Sequence, residues 1–314
     1  MVDLDGHDRA TRPRGLKAQL LPAGDDERYL EPLNACFGGW DRRACYWYHR
    51  RPFAGVEPDV LVLSEGGRWV SGMGLNYRRL SSPGGASARA AILTAGWTRP
   101  ELRGRGYFQE LVAAAARVAG SRGCALLVGF VTADNASNRG MAKAGAVNVP
   151  AWYVTQGARE RGAAAAVRPA PADAVERLRA RRPAPGAVRF EYERVEDWRA
   201  QFLERLHPTE VLAVGDAALA VVERVDATDR LQLLAAEGEE RPGALAALAA
   251  RARRQGRRFF TYSTRPETAA EAARHGLAVK PGCVTVLGLR GGEHTAAGER
   301  WASLAWDVES GDRM

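Results

Sequence analysis

Apolar residues follow two patterns along the chain: short runs broken by glycine-containing turns, and longer stretches with helical spacing. Residues 17–22 alternate enough to predict a short strand. Over 25–36, Tyr29, Leu30 and Leu33 share one helical face, with Asp25 or Asp26 as N-cap and Gly38-Gly39 as the stop. A second helix is expected over 41–50, carrying the aromatic group Tyr46-Trp47-Tyr48, a group more often core than ligand wall. Three strands follow at hairpin spacing, 60–64, 69–78 and 88–98, turned at Glu65-Gly66-Gly67-Arg68 and Pro83-Gly84-Gly85. A helix over 109–119, a buried strand over 124–131, a helix over 135–144 stopped by Gly145, and a strand at 152–155 complete the first half.

The order then recurs. Strands at 217–224 and 230–236, a helix over 243–254, a strand at 257–263, a helix over 267–274, and strands at 277–280 and 284–289 repeat the sequence of element types. Between the halves, 157–186 shifts to Arg, Ala and Pro, with Pro169, Pro171, Pro183 and Pro185, and reads as a connection holding a short helix near 173–181. The pattern predicts an α+β chain built as a tandem repeat: a domain over 1–157, a connection over 158–187, and a second domain over 188–314. Each would be a mixed, mostly antiparallel sheet flanked by helices, and a length of 314 residues suits two domains.

Composition adds mainly exclusions. Hydrophobic residues make up 46% of the chain, enough for a core, and no apolar run approaches membrane-spanning length. The charged N-terminal stretch 1–14 has no apolar segment of secretory type, so a cytoplasmic protein without a membrane partner is expected. The net charge of +8 comes almost wholly from Arg, since Lys17, Lys143 and Lys280 are the only lysines, and bases are interleaved with acids as at Arg159-Glu160-Arg161. That is the signature of a mixed solvated surface more than of a nucleic-acid face. Cys36, Cys45, Cys124 and Cys283 form no CxxC pair and sit near no histidine cluster, so neither a metal nor a disulfide framework is expected.

The chemistry is concentrated between Thr94 and Phe108. A strand runs through Trp97-Thr98 into Arg99-Pro100-Glu101-Leu102, then Arg103-Gly104-Arg105-Gly106-Tyr107-Phe108, then a helix. A glycine loop that opens a helix is an anion cradle, because successive N–H groups converge and the helix N-terminus adds partial positive charge. Gly104 and Gly106 permit close approach, and Arg103 and Arg105 offer charge-assisted hydrogen bonds. The loop lacks the Lys-Ser/Thr of a P-loop and the third glycine of a dinucleotide fingerprint. Two glycines between arginines are equally compatible with a plain strand-to-helix turn.

Arg103 to Phe108 resembles the Q/R-x-x-G-x-G/A motif of the GCN5-related N-acetyltransferases (GNATs). Asn135-Ala136-Ser137-Asn138 through Lys143-Ala144-Gly145-Ala146 is similar to that superfamily's second motif. Phe108 departs from it, standing where the family prefers Gly or Ala. The resemblance implies a tandem GNAT fold whose second copy is degenerate, with acetyl-CoA or a longer acyl-CoA as donor substrate. In this reading the backbone at Trp97 and Thr98 pairs with the pantetheine arm and polarises the thioester carbonyl. Amides of Arg103, Gly104, Arg105, Gly106, Tyr107 and Phe108 hold the pyrophosphate, and Asn135 and Asn138 contact the cofactor. The implied reaction is direct attack by a primary amine of a small molecule, such as an amino sugar or another natural-product or antibiotic amine.

The acid and base are less legible. Met141 stands where many members keep a proton-donating Tyr, which leaves Tyr153 or Tyr107 as donors, or departure of CoA as the thiolate. No carboxylate lies on the strand 90–97. His207, before Pro208 in a loop where an interdomain cleft is expected, is the preferred general base, although a solvent-exposed His is the plainer reading of any such residue. His49 would be packed or line the acceptor pocket. The second half carries Glu237-Gly238-Glu239-Glu240 where the first has its arginine loop, which predicts one CoA per chain. Two alternatives stay open: a tRNA-dependent aminoacyl transferase of the peptidoglycan-linking type, and a non-enzymatic acyl-CoA-binding protein.

Overall fold

A computed structural model describes residues 16–157, 165–180, 186–216, 218–236, 240–289 and 294–313. The first half runs β1 (Lys17–Leu20), α1 (Asp26–Phe37), α2 (Arg42–Cys45, continued by a π-turn over Tyr46–Arg50), β2 (Asp59–Glu65), β3 (Arg68–Ser81), β4 (Ser87–Thr98), α3 (Tyr107–Ser121), β5 (Leu126–Thr132), α4 (Ala136–Lys143) and β6 (Val147–Thr155). The expected connection contains β7 (Val167–Pro169) and α5 (Ala174–Arg179), while 158–164 and 181–185 lie outside the described residues. Then come β8 (Ala187–Phe190), α6 (Val195–Phe202), β9 (Thr209–Val214), β10 (Ala218–Val225), β11 (Thr228–Ala235), α7 (Glu240–Arg254), β12 (Arg258–Ser263), α8 (Pro266–Arg274), β13 (Ala278–Gly288), α9 (His294–Ala302) and β14 (Ala305–Trp306).

Local chemistry sets several of these boundaries. Asp41 caps α2 by accepting from the Ala44 N–H at 2.7 Å, and Asn135 caps α4 by accepting from the Ser137 N–H at 2.9 Å. The run Val60–Leu63 is apolar throughout because both faces of β2 are covered. Leu61 and Leu63 pack in the core under α3 with Leu75 and Leu111, whereas Val60 and Val62 face Tyr29 and Leu33 of α1. Burying a side chain such as Leu111 completely stabilises the fold by about 2 kcal/mol.

The two halves repeat one topology but do not form two separate sheets. A single sheet of 14 strands runs β1-β2-β3-β4-β5-β13-β6-β12-β11-β10-β9-β7, with β8 and β14 off this path. In each half a meander is followed by a helix and a parallel strand: β4 beside β5 after α3, and β11 beside β12 after α7. The closing strands are exchanged. β6, from the first half, pairs with β12 of the second, and β13, from the second half, inserts between β5 and β6. The sequence predicts separate strands at 277–280 and 284–289, with Pro281-Gly282 between them. The chain instead stays extended through it, because Gly282 begins the pairing with Thr132 of β5 while β6 accompanies the whole crossing. Strand β9, a segment to which no element was assigned from the sequence, pairs along β10.

Beside β4 lies His49, fully buried against Gly74, stacked on Trp40 and edge-on to Tyr29. Neither ring nitrogen has a hydrogen-bond partner among the described residues, and burial pushes the imidazole pKa down to about 3. It is core, and neutral.

Two outcomes follow from this packing. Val286 is fully buried between β5 and β6. Its replacement by Ala should destabilise the chain by about 2 kcal/mol in one cooperative denaturant transition covering both halves; two separated transitions would contradict the exchange. His49 stays neutral when folded but protonates in the unfolded chain below about pH 6.5, so stability is complete above that pH and declines as pH falls toward about 3. At about pH 5 the loss from this residue should reach about 2 kcal/mol relative to pH 8. Comparing denaturation slopes against pH for the wild type and His49→Phe reads it, and equal slopes would count against a buried neutral imidazole.

Candidate functional site

β4 and β5 pair in parallel only at Ala90↔Leu126, Ala91↔Leu127 and Ile92↔Val128. Beyond that point β4 continues to Thr98 against β3, and β5 continues to Thr132 against β13. The facing edges therefore part, and β4 from Leu93 to Thr98 presents an edge with no strand partner among the described residues. Within this edge the β3–β4 register slips between Gly72 and Gly74, and Ala95 takes φ 42°. A bulge with a left-handed non-glycine residue is costly, about 1–2 kcal/mol, and such strain gathers at functional sites.

From the end of β4 a short turn over Pro100–Leu102 leads into the Arg-Gly-Arg-Gly loop. Gly104 (φ 82°) and Gly106 (φ 83°) both occupy the left-handed region, which is why glycine stands at each. Gly106 forms the N-cap of α3 without any side-chain cap. Among the described residues, the N–H groups of Gly104, Arg105, Gly106, Tyr107 and Phe108 have no acceptor, so the loop and first helical turn present a row of free donors.

Wedge and loop share one cleft of about 580 Å³. Trp97, Thr98, Arg103, Gly104, Gly106, Tyr107, Phe108 and Asn135 line it, and Arg105 lies exposed within the loop. Some roles shift. The Trp97 side chain turns away into the core, where its Nε1–H donates to the Tyr29 hydroxyl at 3.0 Å, leaving its backbone to the cleft. The Tyr107 hydroxyl donates to the Glu65 carboxylate at 2.7 Å, a bond that raises the phenol pKa. Asn135 is engaged as the cap of α4. Asn138 is not a lining residue; it donates to the Ala133 carbonyl at 3.0 Å and accepts from Asn148, so it holds the start of α4.

Phe108 fits because glycine faces it on both sides. A Cβ on Gly140 of α4 would stand 2.5 Å from the ring, and one on Gly96 of β4 would stand 3.4 Å from it. Residues that the sequence reading did not assign also line the cleft: Cys36 and Phe37 from the end of α1, and Arg139 and Lys143 from α4. The spacing of Arg139 and Lys143, one helical turn apart, was the available signal. Cys36 is held as a thiol, its pKa raised by burial and its Sγ donating to the Thr98 carbonyl at 3.5 Å. Met141 is buried beneath α3 and supplies packing.

The two proposed catalytic side chains lie outside this cleft. Tyr153 sits on β6 with its ring against Phe260 and Tyr262, its pKa raised by burial, and does not line the cleft; its expected role as proton donor has no geometric support. His207 lines a separate hollow of about 300 Å³ between the halves, with Trp40, Asp41, Tyr48 and Arg230.

The second half repeats the wedge and fills it. β11 and β12 pair only from Thr228↔Arg258 to Arg230↔Phe260. Beyond, Glu309 bridges to Ser263 of β12, and the turn Ser310–Asp312 packs against β11 so closely that a Cβ on Gly311 would meet the Gln232 carbonyl at 2.7 Å. Gln201 donates to the Gly311 carbonyl at 2.6 Å and pins the segment. The acidic stretch Glu237 to Glu239 lies outside the described residues.

Comparison with known proteins agrees with this geometry. A family profile described as "Acetyltransferase (GNAT) domain" matches residues 18–137. No curated protein sequence matches the chain significantly. Among solved structures, a GCN5-related N-acetyltransferase from Sphaerobacter thermophilus superposes with TM-score 0.59 at 14% identity, covering 89% of this chain and 98% of that one. A GCN5-related N-acetyltransferase from Kribbella flavida gives 0.57 at 17%, covering 87% and 71%. A tandem GNAT protein from the clavulanic acid biosynthesis pathway gives 0.56 at 17%, covering 88% and 99%. At these identities the structures speak for the fold, and the profile speaks for the domain. Residues 18–137 thus match an acetyltransferase (GNAT) domain, and the chain as a whole has a fold similar to that of a tandem GNAT protein.

Proposed function

We propose that the chain is an acyl-CoA-dependent N-acyltransferase that moves an acetyl or longer acyl group from CoA to a primary amine of a small molecule. The observation that carries this reading is the open wedge: a free strand edge on β4 that leads directly into a row of free N–H donors. The edge from Leu93 to Thr98 suits an amide-bearing pantetheine arm, which would hydrogen-bond to it as an added strand. The amides from Gly104 to Phe108 suit the pyrophosphate, with Arg103, Arg105, Arg139 and Lys143 supplying positive charge around it.

The donor supplies a thioester carbonyl. The bulge at Ala95-Gly96 turns backbone toward the cleft, where an N–H can stabilise the oxyanion that forms as the amine attacks. The amine nitrogen bonds to the carbonyl carbon, the C–S bond breaks, and the electron pair leaves on sulfur. With Tyr153 in the core and the Tyr107 hydroxyl donating to Glu65, CoA departs as the thiolate. The surplus proton on nitrogen goes to a base, for which His207 is the proposed group. Its hollow shares Tyr48 with the first half, and the Tyr48 carbonyl accepts from Thr94, the residue before the bulge, at 3.3 Å. For the acceptor we propose a natural-product amine such as an amino sugar; a protein of similar fold is a tandem GNAT protein from the clavulanic acid biosynthesis pathway.

Thermal denaturation with acetyl-CoA, octanoyl-CoA and free CoA tests the donor. At about a hundred times its dissociation constant, a ligand of the native state should stabilise by about 2.7 kcal/mol. Gly104→Glu, which places a carboxylate among the free donors, should abolish that shift and CoA release with amines while keeping the fold. Absence of any shift with all three compounds would overturn the proposal.

A further inference from the structure

A second cavity, of about 590 Å³, lies where the halves meet. Its wall includes Tyr48 of the first half and Arg205, Arg230, Gln232, Arg258 and Arg313 of the second, and among the described residues no carboxylate side chain lines it. Arg205 is neutralised: its Nε donates to Glu223 at 2.8 Å, and both side chains are almost completely buried. The others differ. Among the described residues, Arg230, Arg258 and Arg313 make no ion pair, although they face one cavity.

Arg313 is the most constrained of the three. Its guanidinium lies 4.5 Å from the Tyr262 ring centroid and 4.9 Å from that of Tyr153, and its buried Nε has no acceptor. Arg230, on β11, is half-buried and lines both this cavity and the hollow of His207. Three cations facing one cavity without a counter-charge repel each other, and the half-buried donors of Arg230 and Arg313 are unfavourable when unpaired, so an anion is the group that such a wall favours. The cavity also touches the first half's wedge through one residue. Tyr48 lines it, while the Tyr48 carbonyl accepts from Asn76 at 3.0 Å and from Thr94 beside the β4 bulge.

We propose that this cavity is the acceptor chamber, and that Arg230, Arg258 and Arg313 bind an anionic group, carboxylate or phosphate, borne by the acceptor amine. This rests on the reading of the chain as an N-acyltransferase. An acceptor held by its anion in the second half would direct its amine past Tyr48 toward the bulge in the first. The tandem arrangement then divides the labour: one half holds the donor, and the other selects the acceptor by charge.

Calorimetric titration, without any CoA present, of β-alanine, 2-aminoethyl phosphate and ethanolamine reads the chamber directly. At least one anionic amine should bind tenfold or more tightly than ethanolamine, and the preferred one identifies carboxylate or phosphate as the group. Arg258→Gln, at an exposed position that should not disturb folding, and Arg230→Gln should each weaken that binding at least tenfold. Ethanolamine binding as tightly, no binding of either anionic amine, or anionic binding unchanged in both variants would overturn the inference. The acetyl-CoA thermal shift on the same samples separates the two claims. A shift retained without anion preference sinks the chamber alone. Anion binding with no shift for acetyl-CoA, octanoyl-CoA or free CoA sinks the donor reading and leaves the anion site standing.

Discussion

A strand can part from its neighbour only if its other edge is held, because an extended segment left with both edges open loses the hydrogen bonds that keep it extended. In this chain β5 meets that condition through β13, which crosses from the second half and pairs with it from Gly282 to Gly288. The free edge of β4, the bulge at Ala95 and the loop that presents Gly104 and Gly106 all depend on that parting. The second half is therefore part of the first half's site even where it touches nothing in the cleft.

The same topology, used twice, has two different outcomes. In the first half the wedge stays open and runs into a loop of free N–H donors. In the second, residues near Ser310–Asp312 occupy the equivalent gap, pinned by Gln201 and pressed against the Gln232 carbonyl. Backbone edges that would be costly if left unpaired are satisfied by the chain itself. What remains of the second half is a wall of arginines facing the junction, a surface suited to recognition.

Much of the first half was legible. Turn glycines, apolar runs and the Arg-Gly-Arg-Gly loop marked the strands, the loop and α3, because each is set by local chemistry: a left-handed backbone at Gly104 and Gly106, and an amphipathic face along α3. The parts missed were non-local. The exchange of β6 and β13 is a choice between equally apolar partners that no local pattern encodes, and the strand that holds Pro281-Gly282 extended lies far away in sequence. The bulge was hidden since Ala95, unlike a glycine, does not announce a positive φ. The surroundings of Tyr153 were not legible, because its aromatic, half-polar character is the same whether it faces a cleft or, as here, Tyr262 and Phe260. Phe108 departs from the usual small residue, but Gly96 and Gly140 had already made the room.

The claim that most of this rests on is that one wedge is open and the other is filled. Isothermal calorimetry of acetyl-CoA against the full chain measures it directly. One site per chain is expected, since among the described residues only the first half pairs a free strand edge with free N–H donors. A stoichiometry near two would mean that the segment at Ser310–Asp312 does not close the second wedge, and the division of roles between the halves would fall with it.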